Sequence, residues 1–147
     1  MINVFIPEIP KGTAQQKGLQ IVGGKPHYYT KPKVQAAKDI YASYLRNYRP
    51  AVPIDGAVAL TVAYYYKPRT KKEAGQPKTT RPDVDNLFKM VADILTDLRF
   101  WHDDAQVTEV HIYKNYAKAD DKAGVMIMIK PLEIITAKDI GGTNKCN

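Results

Sequence analysis

Cysteine is almost absent. The single thiol, Cys146, sits beside the end of the 147-residue sequence and has no second cysteine to pair with. An internal disulfide is excluded, so the fold is expected to rest on packing alone, as in proteins of a reducing compartment; a cytoplasmic location is the expectation. Long apolar runs are also missing, and none approaches the roughly 18 residues that would suggest a bilayer span, so no membrane partner is expected. Met1 to Pro10 holds Glu8 and two prolines instead of a basic stretch leading into an apolar one, and does not read as a signal peptide. His102 and His111 have no cysteine or histidine partners at zinc spacings. The phosphate-cradling pattern Gly-x-x-x-x-Gly-Lys-Ser/Thr is absent, which counts against a nucleotide phosphotransferase. No internal repeat is visible.

What is present suits one folded unit. Hydrophobic residues make up 44% of the chain, enough for a core, and the length fits a single domain over residues 1–147. The net charge is +7, but acids are unevenly placed. Residues 1–50 carry eight Lys/Arg against two acids, and residues 51–80 five against two. Residues 81–109 reverse the sign, with three against seven. A basic chain with one short acidic island points to a polyanionic partner and to a place that needs concentrated negative charge, such as a metal site.

Secondary structure follows from periodicity. Ile2 to Ile6 is a short β-rich run closed by Pro7 and Pro10. Residues 11–31 hold four glycines and many polar residues and read as a long loop, in which Leu19 to Val22 could pair as a strand. From Pro32 to about Asn47, Val34, Ala37, Ile40, Tyr41, Tyr44 and Leu45 recur at helical steps. Residues 57–66 are β-branched and aromatic and form a half-buried strand. Residues 67–80 have no apolar period and are expected to be a mobile basic loop. A second helix runs from Pro82 to about Leu98, and two strands follow at 106–116 and 123–130. The tail, about residues 134–147, is expected to be partly flexible. The order predicts an α+β domain with a small mixed β-sheet covered by two main helices.

The second helix carries the chemistry. Val84, Leu87, Phe88, Val91, Leu95 and Leu98 fall on one stripe, and Asp85, Lys89 and Asp93 line the edge about 40° further round. Asp83 and Asp85 stand at the loop-to-helix junction, with Pro82 expected at the first helical position. Acids there also complement the helix dipole, worth about 0.3–1 kcal/mol each, which is the ordinary reason to find them. Three features favour more. The junction can aim both carboxylates at one point; Lys89 lies one turn beyond Asp85; and Asp103 and Asp104 follow Trp101-His102 just before the next strand. If the chain returns beside the helix, Asp104 approaches Asp83 and Asp85. Gathered carboxylates repel one another, and a divalent cation resolves the conflict. Mg²⁺ takes such oxygen ligands while keeping water and phosphate in its other positions, and Mn²⁺ is a possible substitute. It would polarise a phosphodiester and help ionise an attacking water, with Lys89 neutralising charge that builds on the phosphate.

Other residues have weaker claims. Lys67, Arg69, Lys71, Lys72 and Lys78, in the loop before the acidic helix, together with Arg81, are DNA-binding candidates against the alternative of a solvated loop. Tyr28, Tyr29, Tyr64, Tyr65 and Tyr66 could stack on unpaired bases, although tyrosines in strands are more often packing residues. Trp101 is expected to anchor the turn before Asp103. His102 is a candidate proton carrier, with a surface histidine as the default. Glu109, if its strand alternates, points the same way as Val107 and His111 and is a further candidate ligand.

Arg81-Pro82-Asp83-Val84-Asp85-Asn86-Leu87-Phe88-Lys89, followed by Asp93 and then Trp101-His102-Asp103-Asp104-Ala105-Gln106-Val107, resembles the RusA family of Holliday junction resolvases. Both halves of that family's signature, Asp-x-Asp-Asn-x-x-Lys and Asp-Asp-x-Gln, stand in order and at the right spacing. The likeness is close over about residues 80–110 and looser over the flanking strands. It implies a small homodimer that binds four-way DNA junctions and nicks two strands symmetrically with Mg²⁺, in the manner of phage and prophage enzymes. It also implies Asp83, Asp85 and Asp104 as catalytic metal ligands, Lys89 as the essential lysine, and supporting roles for Asn86, Asp93 and Asp103. The competing class is a nucleic-acid-binding protein without catalytic activity, which loss of any of the three aspartates or Lys89 would have favoured. The chain departs from the family where many relatives have an Arg-Pro-Arg-like stretch: Pro10-Lys11 is followed by Gly12-Thr13-Ala14-Gln15-Gln16-Lys17. Lys17, Lys25, Lys31 and Lys33 are expected to supply the phosphate contacts of that stretch.

Overall fold

The apolar residues of three strands alternate, and that alternation builds most of the sheet. The computed structural model describes residues 1–12 and 17–133. Strands β1 (Ile2–Ile6), β4 (Val58–Tyr66), β5 (Val107–Tyr116) and β6 (Gly124–Pro131) form one sheet in the order β1-β6-β4-β5. β6 runs antiparallel to both β1 and β4, while β4 and β5 are parallel, so the sheet is mixed. Val4 and Ile6, Val125, Ile127 and Ile129, and Val58, Leu60, Val62 and Tyr64 are all buried, with exposed or partly exposed residues between most of them. Helix α1 (Pro32–Leu45) adds Val34, Ala37, Tyr41 and Leu45 to this core. Helix α2 (Val84–Asp97) adds Leu87, Met90, Val91, Ile94 and Leu95. Each fully buried Val, Leu, Ile or Met among them contributes about 1.5–3 kcal/mol. The expected mixed sheet with two covering helices is what the chain forms.

Because β4 and β5 are parallel, the chain must cross back between them, and α2 makes that crossing. The helix therefore starts near the C-terminal ends of both strands and finishes near their N-terminal ends. It stops in a Schellman arrangement. Arg99 takes φ 62°, its N–H donates to Thr96 O at 3.0 Å, and Phe100 N–H donates to Leu95 O at 3.0 Å. Leu95 and Phe100, which flank this turn, are both fully buried. Trp101 follows, fully buried, with Nε1 donating to Thr96 Oγ1 at 2.8 Å, and anchors the turn as its size predicts.

Three expectations need correction. The helix expected from Pro82 begins at Val84 with Asp83 as its N-cap, so Pro82 precedes the helix. The stretch read as a loop over residues 11–31 contains a hairpin, β2 (Lys17–Val22) paired antiparallel with β3 (Lys25–Thr30). Only its first strand was foreseen; Lys25 to Thr30 is exposed throughout, so burial imposed no alternation there. The basic loop over 67–80 is held in place. Arg69 pairs with Glu73 at 2.7 Å, Tyr116 N–H donates to Gln76 O, and Lys78 N–H donates to Lys114 O. Residues 76–78 thereby cover part of the β5 edge. The tail expected to fray and residues Thr13 to Gln16 lie outside the described residues.

Candidate active site

Asp83 is a residue type that normally caps a helix by accepting an N–H bond through its side chain, and here it makes no such bond. Asp85 lies in the first turn and enters no ion pair among the described residues. Both are exposed. Asn86 follows, and its Oδ1 is buried without a hydrogen-bond partner. Leaving a buried acceptor unpaired costs about 1–3 kcal/mol, so that position marks an unmet contact. The start of α2 thus presents two unengaged carboxylates and one orphaned amide oxygen.

Two clamps hold this end. Lys114 of β5 donates from Nζ to Thr80 O and to Pro82 O, both at 2.7 Å, and so fixes the chain on either side of Arg81 as it enters Asp83. The buried Tyr64 hydroxyl donates to Leu87 O at 3.1 Å and ties the first turns of α2 to β4. Burial raises the Tyr64 phenol well above its usual range, and the neighbouring Tyr41 phenol rises for the same reason. Neither clamp was foreseen. Lys114 is a lone lysine in a strand, and only the parallel β4–α2–β5 arrangement places it beneath the helix start.

The second aspartate pair is organised differently. Asp103 caps a short 3₁₀ turn over Asp104–Gln106, accepting from Ala105 N–H at 2.8 Å. That N–H bond, with the Asp104 side chain, holds the Asp103 carboxyl below its ordinary range. Gln106 completes a capping box. Its Oε1 accepts from the backbone N–H of His102 at 2.8 Å and of Asp103 at 3.0 Å. Its Nε2 donates to Ile54 O at 2.8 Å and Gly56 O at 2.9 Å. The glutamine of the Asp-Asp-x-Gln pattern is therefore a four-bond clamp, and Asp104 is carried outward on the turn it fixes.

Asp104 faces the flank of α2. It lines a recess of about 330 Å³ with Phe88, Lys89, Asp93, Val107 and Val110. Lys89 Nζ stands 3.6 Å from Asp93 Oδ1, and the lysine side chain remains 57% exposed. The structure brings Asp104, Lys89 and Asp93 to one recess. Asp85 lies one turn nearer the helix start than Lys89, about 12 Å along the axis from Asp93. Among the described residues, no three Asp, Glu, His or Cys side chains gather closely enough to hold a metal ion.

Glu109 does not alternate with Val107 as expected. A register shift between Val58 and Ala59 pairs Val107 and then Glu109 with consecutive residues of β4. Val107 and Val110 then share the recess, and Glu109 is exposed outside it. His102 Nε2 lies 3.0 Å from Asp55 Oδ1, an exposed surface pairing. The tyrosines divide: Tyr64 is buried, Tyr66 is partly buried with its phenol pushed up to about 12 by that burial, and Tyr28 and Tyr29 are exposed. Among the basic candidates, Lys67, Lys71, Lys72 and Arg81 are exposed, whereas Arg69 is engaged by Glu73. Lys78 sits 5.2 Å from the Tyr66 ring centre and 5.7 Å from that of Tyr116. Lys67, Arg69, Lys71 and Lys118 line a cleft of about 510 Å³.

This arrangement has known relatives. The protein-family model for Endodeoxyribonuclease RusA matches residues 7–130. A Lactococcus phage r1t protein named crossover junction endodeoxyribonuclease rusA is 35% identical over 100 residues, covering 65% of this chain and 72% of its own length. The uncharacterised protein YqaN of Bacillus subtilis is 33% identical over 118 residues, 73% of this chain and 82% of that one. The Escherichia coli crossover junction endodeoxyribonuclease RusA is 34% identical over 80 residues, 54% of this chain and 58% of its own. The match spans three strands of the main sheet (β4, β5 and all but the last residue of β6), both helices and every residue of the candidate site, and the chain belongs to the RusA family of endodeoxyribonucleases.

Proposed function

We propose that the chain is a Mg²⁺-dependent endonuclease that resolves four-way DNA junctions by paired, symmetric nicks. The observation that carries this reading is the pair of unengaged carboxylates at the start of α2, Asp83 and Asp85, in an endodeoxyribonuclease family with relatives named for crossover junctions. The donor types suit a hard divalent cation, which would have to draw the acids together, because among the described residues no three stand close enough to hold it. Asp83, Asp85 and Asp104 are exposed oxygen donors, and Asn86, next in sequence to Asp85, has a buried Oδ1 without a partner. Asp83, Asp85 and Asp104 would hold the ion, with Mn²⁺ as the substitute. When bound, magnesium supplies polarisation of the phosphodiester and a lowered pKa for an attacking water.

The chain's own residues divide the remaining work. Lys89, exposed and only loosely paired with Asp93, can turn toward a phosphate and neutralise charge developing on it. Asp93 restrains that lysine between encounters. Asp103 and Gln106 position Asp104, and Lys114 positions Asp83. Lys67, Lys71, Lys72 and Arg81 provide phosphate contacts, while Arg69 and Lys78 act from the same face once Glu73 or the Tyr66 and Tyr116 rings release them. Two cuts in one junction require two centres, so the working form is a homodimer.

The test is a nicking assay on a synthetic four-way junction, run with Mg²⁺, with Mn²⁺ and with chelator, beside a linear duplex of the same sequence. Metal-dependent cutting confined to the junction is expected. Junction binding without cutting in either metal would return the reading to a nucleic-acid-binding protein.

A further inference from the structure

The β2–β3 hairpin buries very little of itself. All six residues of β3 are exposed, and Leu19, Ile21 and Tyr28 are 59%, 72% and 75% exposed. The register sets Leu19 opposite Tyr28 and Ile21 opposite Pro26, so these four side chains share one face. On the other face Tyr29 lies opposite Gly18, and its ring fills the space that a side chain there would need. Gln20 and His27 lie beyond it. The ribbon thus has one apolar face and one mixed face, which also carries Val22 and Lys25. A lone two-stranded ribbon is marginal in water, and an uncovered apolar face makes it an association hazard.

Charge selects the partner. From Ile9 to Lys38 the sequence holds six lysines and no acid. Pairing this face with a second copy would set like charge against like across a two-fold axis. A polyanion is complementary. The shape agrees, because two-stranded ribbons enter DNA grooves. The tip is also narrow: Gly23 and Gly24, with φ of 58° and 76°, close the hairpin in two residues.

We propose that the apolar face of the β2–β3 hairpin, with Tyr28 at its centre, is a wedge that stacks on base pairs opened at the centre of branched DNA, while its lysines hold flanking phosphates. This rests on the junction reading above and assigns it a recognition element. Stacking on an aromatic ring requires an exposed base face but no particular sequence. Apolar side chains pressed between base steps part them. An intact duplex covers its base faces and a branch point exposes them, so the wedge favours the branch.

The probe is a four-way junction carrying 2-aminopurine at its centre, compared with linear duplex. Tyr28→Ala is expected to bind the junction about 10-fold more weakly, with duplex affinity nearly unchanged and the 2-aminopurine response lost. Tyr28→Trp should retain both. Tyr28 is exposed, so these variants should fold; circular dichroism and melting temperature check that they do. Equal weakening on junction and duplex, or no change on either, overturns the wedge. So does a shift in sedimentation showing that Tyr28→Ala alters self-association, because the face then covers a second copy. If the wild-type protein itself fails to prefer junction over duplex, the junction reading has failed, which separates that outcome from failure of the wedge.

Discussion

At the start of α2, Asp83 stands in the capping position and caps nothing; beyond its end, Asp103 stands in the capping position of a 3₁₀ turn and is fully used. The two aspartate pairs of the family signature look alike in sequence and do different work. At the helix start, the anchoring falls to residues outside the pair, Lys114 and Tyr64, and both carboxylates stay unengaged. At the later turn one member, Asp103, together with Gln106, builds the support from which the other is presented. A carboxylate committed to backbone N–H groups is stabilised as a structural acceptor, whereas one without partners is available to a ligand.

The comparison breaks most visibly through the acids themselves. Asp83→Asn and Asp104→Asn should each lower junction cutting by 100-fold or more, about the loss of one catalytic stabilising group, while junction binding stays level or strengthens as negative charge is removed. Asp83→Asn should leave the melting temperature unchanged or raise it, because asparagine caps a helix as well as aspartate does. Asp103→Ala should do the reverse, costing about 0.5–2 kcal/mol of stability and reducing cutting only as far as Asp104 loses its seat. Asp103→Ser, which can still cap, should recover most of that stability. An Asp103→Ala protein with full stability and no activity would erase the division drawn between the pairs.

Gln106 sharpens the contrast from the other side. Gln106→Ala removes four hydrogen bonds to backbone groups around Ile54, Gly56, His102 and Asp103. About 2–3 kcal/mol of stability should be lost, since some of those groups are left unpaired. Chemical denaturation would measure it, and a loss below about 0.5 kcal/mol would show that the clamp is ornamental.

In alkali the start of α2 depends on a titrating clamp, and the later turn, capped by a carboxylate already ionised there, does not. The raised phenols of Tyr64 and Tyr41 bind protons more tightly in the folded chain than in the unfolded one. Their contribution is therefore complete below about pH 10, the unfolded value, and is lost as pH climbs through the folded values. Tyr66, pushed up to about 12, acts in the same direction. Hydrogen exchange between pH 10 and 12 should show the first turns of α2 opening before the Asp103–Gln106 turn. Simultaneous opening of both would mean that Tyr64 holds no more of α2 than its neighbours do.

Much of this was legible beforehand, for reasons that can be stated residue by residue. The apolar stripe from Val84 to Leu98 marked α2, because a buried helix face must repeat at 3.6 residues. Asp83, Asp85, Lys89 and Asp104 stood out because their types and spacing suit phosphodiester chemistry, but the expected gathering of Asp104 with Asp83 and Asp85 is not seen: Asp104 faces Lys89 and Asp93. Lys25 to Thr30 was missed because a strand exposed on both faces carries no period-two pattern. Glu109 was misdirected by a bulge, which appears only once β4 and β5 are paired. Lys114 and Gln106 were opaque as clamps because their partners are backbone carbonyls and N–H groups contributed by distant segments, and those have no signature in sequence.

The smallest effect concerns Arg99, which joins the two ends of the comparison by turning the chain from α2 toward Asp103. It adopts φ 62° at the position where helices usually place glycine. A side chain there strains against the backbone, so Arg99→Gly relieves about 1 kcal/mol, part of which the freer unfolded chain takes back. A net gain of about 0.5 kcal/mol, or roughly 1–2 °C in melting temperature, is expected. Cutting should not change, because the four bonds of Gln106, and not the conformation of Arg99, fix where Asp104 stands. If Arg99→Gly stabilised the chain but slowed cutting, the arginine side chain itself would have to be touching DNA, and the turn after α2 would belong to the binding surface.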